Sequence, residues 1–255
     1  MEIRKRQRNS IWSVVVQKKM KIAAVYSGLY REFANWKENH KLITDHCDKV
    51  LYSTWKNSPV PPVNNCVLFD EPVVEYNPFT VPEFIKKYPH IHEAHKNNPG
   101  KDWLTKQVIA HQLAVDSLEE EYDVIIKMRY DIWIGHHNWM SFFEKCYQEK
   151  NVIAFGGWTG AIDRDKHVCE KIIVPNNSNS GGKVKNSLCD FMIIHPGYKM
   201  KNAVELHEQR KLFPANQGWY QVLVEPYDEK EINYGGGAML TRYREDQVKH
   251  TPGKI

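Results

Sequence analysis

Several features that would assign a function directly are missing from this chain of 255 residues. No apolar run reaches the roughly 20 residues that a membrane-spanning helix requires. The five cysteines are widely spaced and form no C-x-x-C pair, which argues against a zinc ribbon or a redox motif. A G-x-G-x-x-G fingerprint is absent, which excludes a standard dinucleotide site. We therefore expect a reduced, cytoplasmic protein without an integral membrane segment.

The charge is too small to indicate a nucleic-acid partner. The net charge is +4 at pH 7, and much of the excess lies in the first twenty residues. We expect residues 1–19 to be a dispensable basic arm, 20–245 one folded domain, and 246–255 a polar tail. The arm could hold the protein peripherally at anionic lipid, or it could simply stay solvated.

What the chain does have is an alternation of apolar runs and amphipathic stretches. Residues 21–27 are apolar and β-branched and end at Gly28, which is typical of a buried parallel strand. We predict further strands at 48–54, 66–70, 123–128, 151–155 and 188–196, and a last one before the glycine turn at 235–237. We predict helices at 30–46, 81–98, 102–121, about 138–149, 197–212 and 216–224. This order predicts a single α/β domain with a mostly parallel sheet flanked by helices.

Residues that directly follow the strands are the first candidates for a site, because open α/β sheets bind ligands outside the carboxyl ends of their strands. After the first strand, Ser27 and Gly28 allow a close backbone approach, and Arg31 could bind a phosphate through two nitrogens. Thr54 and Trp55 follow the second strand. An ordinary turn with a solvated arginine, and a core tryptophan, would explain the same residues.

The fourth strand ends in a group of opposite charges. Lys127 and Arg129 could neutralise a nucleotide diphosphate, and Asp131 could ligate a divalent cation that bridges two phosphates. The alternative is a structural Arg–Asp pair at the edge of the sheet, and the residues themselves leave both interpretations open.

In order and spacing, these segments resemble the GT-A glycosyltransferases of the bacterial, phage and large-virus lipopolysaccharide-synthesis type, including the WavE-like group. The resemblance covers residues 21 to about 240. It rests on KIAAVYSGLYREF at 21–33, DKVLYSTW at 48–55, YDVIIKMRYDIWI at 122–134 and NSLCDFMIIHPGYKM at 186–200. It implies a GT-A-like domain that moves a hexosyl or deoxyhexosyl group from a nucleotide-diphosphate sugar to a glycan or lipid-linked saccharide acceptor, as in polysaccharide biosynthesis.

The resemblance also implies roles for particular residues. The donor nucleotide would contact the first two strand ends, at Tyr26, Ser27, Gly28, Arg31, Thr54 and Trp55. Of a D-x-D-like motif that binds metal and diphosphate, only Asp131 is matched, because Arg129 stands at the first acidic position. A divalent cation, Mn or Mg, held by Asp131 is therefore allowed but not required. We hypothesise that Arg129 partly replaces it as the phosphate neutraliser.

An inverting transfer would need a carboxylate to take the proton of the acceptor hydroxyl. The resemblance implies Asp190 for this role, and a capping or structural aspartate is the alternative. Asp163 and Asp165 are rival carboxylates, but their D-R-D sequence does not follow a buried strand. The Gly- and Ser-rich residues 176–187 would be a lid over the site, or else plain disorder.

Two other functions remain open from the sequence. A sugar nucleotidyltransferase would use the same kind of sheet, although that class predicts a Gly-rich, lysine-bearing loop after the first strand, where this chain has one glycine. A non-catalytic nucleotide- or carbohydrate-binding relative is favoured by the missing first carboxylate of the D-x-D-like motif. Hydrolysis of the donor without acceptor would distinguish a transferase from such a relative.

Overall fold

The structure of the chain is a computed structural model. It describes residues 19–30, 36–97, 103–135, 138–155, 188, 190, 192–199, 202–227, 233–234 and 240–242. Nearly all of the predicted arm and the whole predicted tail lie outside these residues, so the domain boundaries stay predictions. The same holds for Arg31, for the lid at 176–187, for the D-R-D aspartates and for the glycine turn at 235–237.

The strands and helices follow the predicted alternation closely. The strands are β1 (Ile22–Tyr26), β2 (Lys49–Trp55), β3 (Cys66–Phe69), β4 (Val124–Met128), β5 (Ile132–Ile134), β6 (Ile153–Phe155), β7 (Met192–Pro196), β8 (Asn233–Tyr234) and β9 (Leu240–Arg242). The helices are α1 (Trp36–Thr44), α2 (Pro82–Lys87), α3 (Pro89–His95), α4 (Trp103–Asp116), α5 (Trp139–Glu149), α6 (Ala203–Glu208) and α7 (Ala215–Leu223). Short 3-10 turns occupy Pro78–Thr80, Gly197–Lys199 and Glu225–Tyr227.

Within the described residues, the main sheet has seven strands in the order β3-β2-β1-β4-β7-β6-β8. Strands β1 to β4 are parallel neighbours, with Ala24 opposite Val50 on one side and Ile126 on the other. Strand β7 runs antiparallel to β4 and to β6, so β6 and β8 again point the same way as β4. The predicted α/β class with a mostly parallel, helix-flanked sheet is therefore confirmed.

The alternation of side chains along β1 and β4 divides the core between the two faces of the sheet. One face packs Tyr26, Ile126 and Met128 against α1 and α5, in a cluster that includes Trp36 and Phe143. The other face packs β1 and β4 against α4, in a cluster that includes Val25, Ile125 and Ala114. A further cluster under α6 and α7 is centred on the fully buried Trp219.

Three predicted elements differ from the structure for local reasons. The helix predicted at 81–98 divides at Tyr88, because Pro89 has no N–H to continue α2 and instead begins α3. The helix predicted at 197–212 is reduced to α6, because Asn202 takes a left-handed conformation with φ of 73°. The helix predicted from residue 30 begins at Trp36 in the described part of the chain.

Two further differences come from pairing between distant segments. Ile132–Ile134 form β5, which pairs antiparallel with β9 more than a hundred residues later. The strand predicted at 188–196 is regular only from Met192 in the described residues, and Asp190 stands before it. Among the described residues, none of the helices has the length and apolar character needed to cross a membrane.

Candidate functional site

A cavity of about 440 Å³ opens at the carboxyl ends of the four neighbouring parallel strands β1 to β4. The start of α4 and the segments after β1, β2, β3 and β4 surround it. Its described lining consists of Ser27, Gly28, Leu29, Trp55, Ser58, Glu71, Trp103, Lys106, Gln107, Arg129, Tyr130 and Asp131. This is the edge at which open α/β sheets bind their ligands, and it is the edge that the sequence predicts.

Gly28 shapes the part of the cavity that follows β1. Its φ of 96° lies in a region that side chains rarely adopt, which explains a glycine at the turn out of the strand. A Cβ built at Gly28 would have no atom within 4 Å, so the space beside it is open. The backbone here is therefore accessible to a ligand. The glycine is required by the backbone conformation and not by a lack of space.

Two tryptophans give the cavity its apolar area. Trp55 ends β2 and is almost completely buried, whereas Trp103 begins α4 and leaves 49% of its surface exposed. A large aromatic side chain that is half exposed beside an open cavity offers a flat face for a ring. The aromatic wall is thus built from one side chain held by the core and one that faces outward.

Arg129 links two carboxylates that are 59 residues apart in the sequence, Asp131 and Asp190. Its Nε and Nη2 atoms each donate to one oxygen of Asp131, both at 2.8 Å. Its Nη1 atom donates to Oδ2 of Asp190 at 3.1 Å. The three side chains are 9 to 13% exposed. Burial alone would lower the pKa of Arg129, but the attraction of both carboxylates raises it instead.

Lys127 lies two residues before Arg129, within β4, and is buried. Its ammonium donates to the backbone carbonyl of Asp190 and stands 5.1 Å from the centre of the Trp219 ring. Burial, together with the repulsion of Arg129, lowers the pKa of Lys127 to about 7 against the opposing effect of Asp190. Lys127 and Arg129 therefore hold residue 190 from two sides, one through its backbone and one through its carboxylate.

A buried hydrogen-bonded chain leads from Ser27 into the core. Nδ1 of His195 lies 2.9 Å from the Pro196 carbonyl, which can only accept, so this nitrogen carries the proton. In a neutral His195, Nε2 then accepts from Nε2 of His111, 3.1 Å away. Nδ1 of His111 is left to accept the Ser27 hydroxyl at the long distance of 3.5 Å. Burial, with smaller effects of His195 and Lys127, lowers the pKa of His111 and keeps it neutral.

This arrangement sets the direction of the Ser27 hydroxyl. Because Ser27 donates inward to His111, the cavity meets the lone pairs of its oxygen. Ser27 is thus oriented to accept a hydrogen bond from an N–H or O–H group of a ligand.

The structure brings most of the predicted site residues together. Ser27, Gly28, Trp55, Arg129 and Asp131 all line the cavity. Asp190 reaches the same place through its ion pair with Arg129. Asp131 and Asp190 come close together because β7 lies antiparallel beside β4, which places the segment before β7 next to the segment after β4.

Three predicted donor-binding side chains do not reach the cavity lining. Tyr26, Thr54 and Lys127 are at most 1% exposed. Tyr26 instead packs against Trp36 and bonds to His40 through its hydroxyl at 2.9 Å. The reason is strand alternation, which directs these side chains into the faces of the sheet and leaves the ends of the strands to their neighbours.

Other cavity residues were not anticipated from the sequence. Trp103, Lys106 and Gln107 come from the first turn of α4, and Glu71 comes from the segment after β3 and pairs with Lys106 at 2.8 Å. A signal for part of this set does exist. Trp103, Gln107 and His111 are spaced four residues apart, which places them on one face of α4. Trp103 and Gln107 line the cavity, and His111 contacts Ser27.

The site does not fit a divalent cation at Asp131 in the present arrangement. Such an ion is held by carboxylate oxygens that point at it, but both oxygens of Asp131 already accept hydrogen bonds from Arg129. In the part of the chain that the structure describes, no group of three or more His, Cys, Asp or Glu side chains is placed to hold a metal ion.

Comparison with known proteins gave similarities to solved structures alone. No protein-family model and no curated protein match the sequence. Among solved structures, HddC from Yersinia pseudotuberculosis is similar over 88% of this chain and 93% of its own, with a TM-score of 0.39 and 10% identity. A protein from Bacillus anthracis, described as a glucose-1-phosphate thymidylyltransferase and solved with a sucrose, is similar over 88% of this chain and 89% of its own. Its TM-score is 0.44 and its sequence identity is 10%. Neither TM-score reaches 0.5, so neither similarity bears on the activity of this chain.

Proposed function

We propose that this chain is a glycosyltransferase that moves a hexosyl or deoxyhexosyl group from a nucleotide-diphosphate sugar to a glycan or lipid-linked saccharide acceptor. The observation that supports it is the cavity at the carboxyl ends of β1 to β4, which combines an open glycine backbone, an aromatic wall and a buried arginine. These are the groups that a base, a ribose and a diphosphate need in one place.

In the proposed complex, the half-exposed face of Trp103 receives the base, and the buried Trp55 lines the same cavity. Ser27 accepts a hydrogen bond from the base or the ribose, next to the accessible backbone of Gly28. The diphosphate lies towards the cationic side chains Lys106 and Arg129. Lys106 would exchange its partner Glu71 for the diphosphate, whereas Arg129 stays on Asp131 and Asp190 and offers its positive charge from that position.

We keep Asp190 as the proposed general base for the acceptor hydroxyl. Its carboxylate is 12% exposed and shares Arg129 with Asp131. The arginine partner fixes the orientation of this carboxylate, and a general base has to be held within hydrogen-bond reach of the proton that it takes. Asp190→Asn would be expected to lower the rate of transfer while leaving the affinity for the nucleotide nearly unchanged, because the amide keeps the shape but does not accept the proton.

A thermal-shift panel of UDP-, GDP-, CDP- and dTDP-sugars tests the donor site. We expect one nucleotide to raise the melting temperature selectively. Trp103→Ala and Lys106→Ala should each reduce that rise. Tyr198→Ala and Lys87→Ala are the matched controls, since Tyr198 is equally exposed and Lys87 forms an ion pair with Glu225, and both lie outside the cavity lining.

The outcomes separate the proposal from its alternatives. Slow hydrolysis of the bound donor in the absence of acceptor supports a transferase. Release of pyrophosphate from a nucleoside triphosphate and a sugar 1-phosphate would instead show a nucleotidyltransferase. Binding without any turnover would indicate a non-catalytic relative, and no thermal shift with any member of the panel would contradict the donor site itself.

A further inference from the structure

The guanidinium of Arg129 occupies the position at which a bridging cation would stand. It lies between Asp131 and Asp190, and it donates two parallel hydrogen bonds to one and a third to the other. Such a planar fork matches a carboxylate in geometry as well as in charge. Both carboxylates are thereby held by a single cation that belongs to the chain.

The carboxylates of this cluster also already have a cationic partner. Among the described residues, Asp131 and Asp190 face Arg129, and Lys127 lies against the backbone of residue 190. A divalent cation added to this nearly buried group would have to displace the guanidinium from Asp131 and leave it without its partner. Breaking a buried pair in this way is strongly unfavourable.

We infer that Arg129 is the resident cation of the donor site, and that the protein binds a nucleotide diphosphate without a divalent metal ion. This inference rests on the proposed function, which it deepens. It makes Arg129 a ligand-binding residue whose position is set by the two carboxylates. It also means that Asp131 positions the arginine and does not coordinate a metal ion.

The sharpest test converts the arginine site into a metal-binding site by one substitution. Arg129→Asp replaces the resident cation by a carboxylate beside Asp131 and Asp190, and it should create a Mn²⁺ site. We expect Mn²⁺ to bind this variant about 10- to 100-fold more tightly than the wild type, by titration followed with electron paramagnetic resonance. Arg210→Asp is the matched control, because Arg210 pairs with Glu75 on an exposed surface and its reversal should leave Mn²⁺ affinity at the wild-type level.

The wild-type protein supplies a second test that does not depend on the folding of a variant. The nucleotide that gives the largest thermal shift is compared in excess EDTA and in Mn²⁺. We expect equal shifts in the two conditions for the wild type. For Arg129→Asp we expect a shift only in Mn²⁺, because that protein has lost its own cation.

Specific results would overturn the inference. One is a wild-type nucleotide shift that vanishes in EDTA and returns with Mn²⁺, which would leave the proposed function standing. Another is tight Mn²⁺ binding by the wild type that disappears in Asp131→Asn. A protein that binds no nucleotide in either condition would contradict the proposed function, and the Mn²⁺ titration of the two variants would still decide whether Arg129 excludes a metal ion.

Discussion

The two faces of the sheet bury polar groups in different ways. On the face covered by α1 and α5, the polar chain is closed, since Tyr26 bonds to His40 and His40 bonds to the carbonyl of Ile132. On the face covered by α4, the buried groups lead to the cavity, His111 through Ser27 and Lys127 through residue 190. Burial of a polar group is therefore not by itself the mark of a site. What distinguishes the second face is the connection to an open cavity.

The largest effect is expected where the buried charges meet the cavity. Arg129→Met should lower the free energy of unfolding by about 3–5 kcal/mol, because Asp131 and Asp190 lose their common partner while staying nearly buried. Arg210→Met, which breaks an exposed pair, should cost about 0–1 kcal/mol. Urea unfolding of both variants measures the difference. Equal losses would show that the cluster is no more than a surface pair.

The two buried histidines allow a direct comparison of the faces. His40→Leu and His111→Leu should each lower the free energy of unfolding by about 1–3 kcal/mol, because each leaves buried partners without a hydrogen bond. Only His111→Leu should also change nucleotide binding, because it frees the Ser27 hydroxyl to donate into the cavity. Thermal-shift titrations of both variants make the comparison. A change in nucleotide affinity in His40→Leu would remove the distinction between the faces.

The lowered pKa of the buried Lys127 predicts that the stability of the protein depends on pH. Its pKa is lowered from 10.5 to about 7 in the folded protein, so between these values the unfolded chain binds more protons. The free energy of unfolding should therefore rise with pH through this window, by about 2 kcal/mol between pH 7 and 9 from this group. Below pH 7 the lysine is charged in both states and the destabilisation is fully present.

The variant Lys127→Met isolates this contribution. It should remove the rise with pH, and the difference between the two proteins cancels the titration of every other group. Urea unfolding at several values between pH 7 and 9 measures it. Parallel curves for the two proteins would mean that Lys127 keeps an ordinary pKa in the fold.

The smallest effect concerns the backbone after β1. Gly28→Ala should cost about 1–2 kcal/mol, because alanine is strained at a φ of 96° although there is open space around its Cβ. If the open space is part of the ligand site, the same substitution should also weaken nucleotide binding. Unfolding and thermal-shift measurements on one variant separate the two effects, and a fully neutral result would contradict both.

The parts of the fold that were predictable have local causes. Apolar β-branched runs that end in glycine or charge identified β1 and β4, and helical periodicity identified α4 and α5. The strand-end rule then placed Ser27, Trp55 and Asp131 at one edge, and in the structure all three line one cavity. Nothing local indicated that β7 would run against its neighbours or that Ile132–Ile134 would pair with β9.

The candidate site also has a part that was predictable from local sequence and a part that was not. Two side chains within strands were expected at the ligand, Tyr26 from the resemblance and Lys127 as a neutraliser of the diphosphate, but alternation turns both into the core. Trp103 and Lys106 were not expected, because the spacing of Trp103, Gln107 and His111 indicates one face of a helix but not the strand end beside which that helix begins. The partner of Arg129 across the sheet, Asp190, was selected from the resemblance, and only the pairing of β4 with β7 explains why the two meet.

By itself, the sequence determined the α/β class, the order of the elements and the edge of the sheet at which polar residues would gather. These follow from side-chain periodicity and turn chemistry, which act over a few residues. Only the tertiary structure decided that Arg129 would bridge two carboxylates, that Ser27 would be oriented by a pair of histidines, and that α4 would complete the cavity. The contact of Arg129 with Asp190 joins residues 61 positions apart, and those of His111 with Ser27 and His195 each join residues 84 positions apart, so only the packing of the whole sheet brings them within hydrogen-bonding distance.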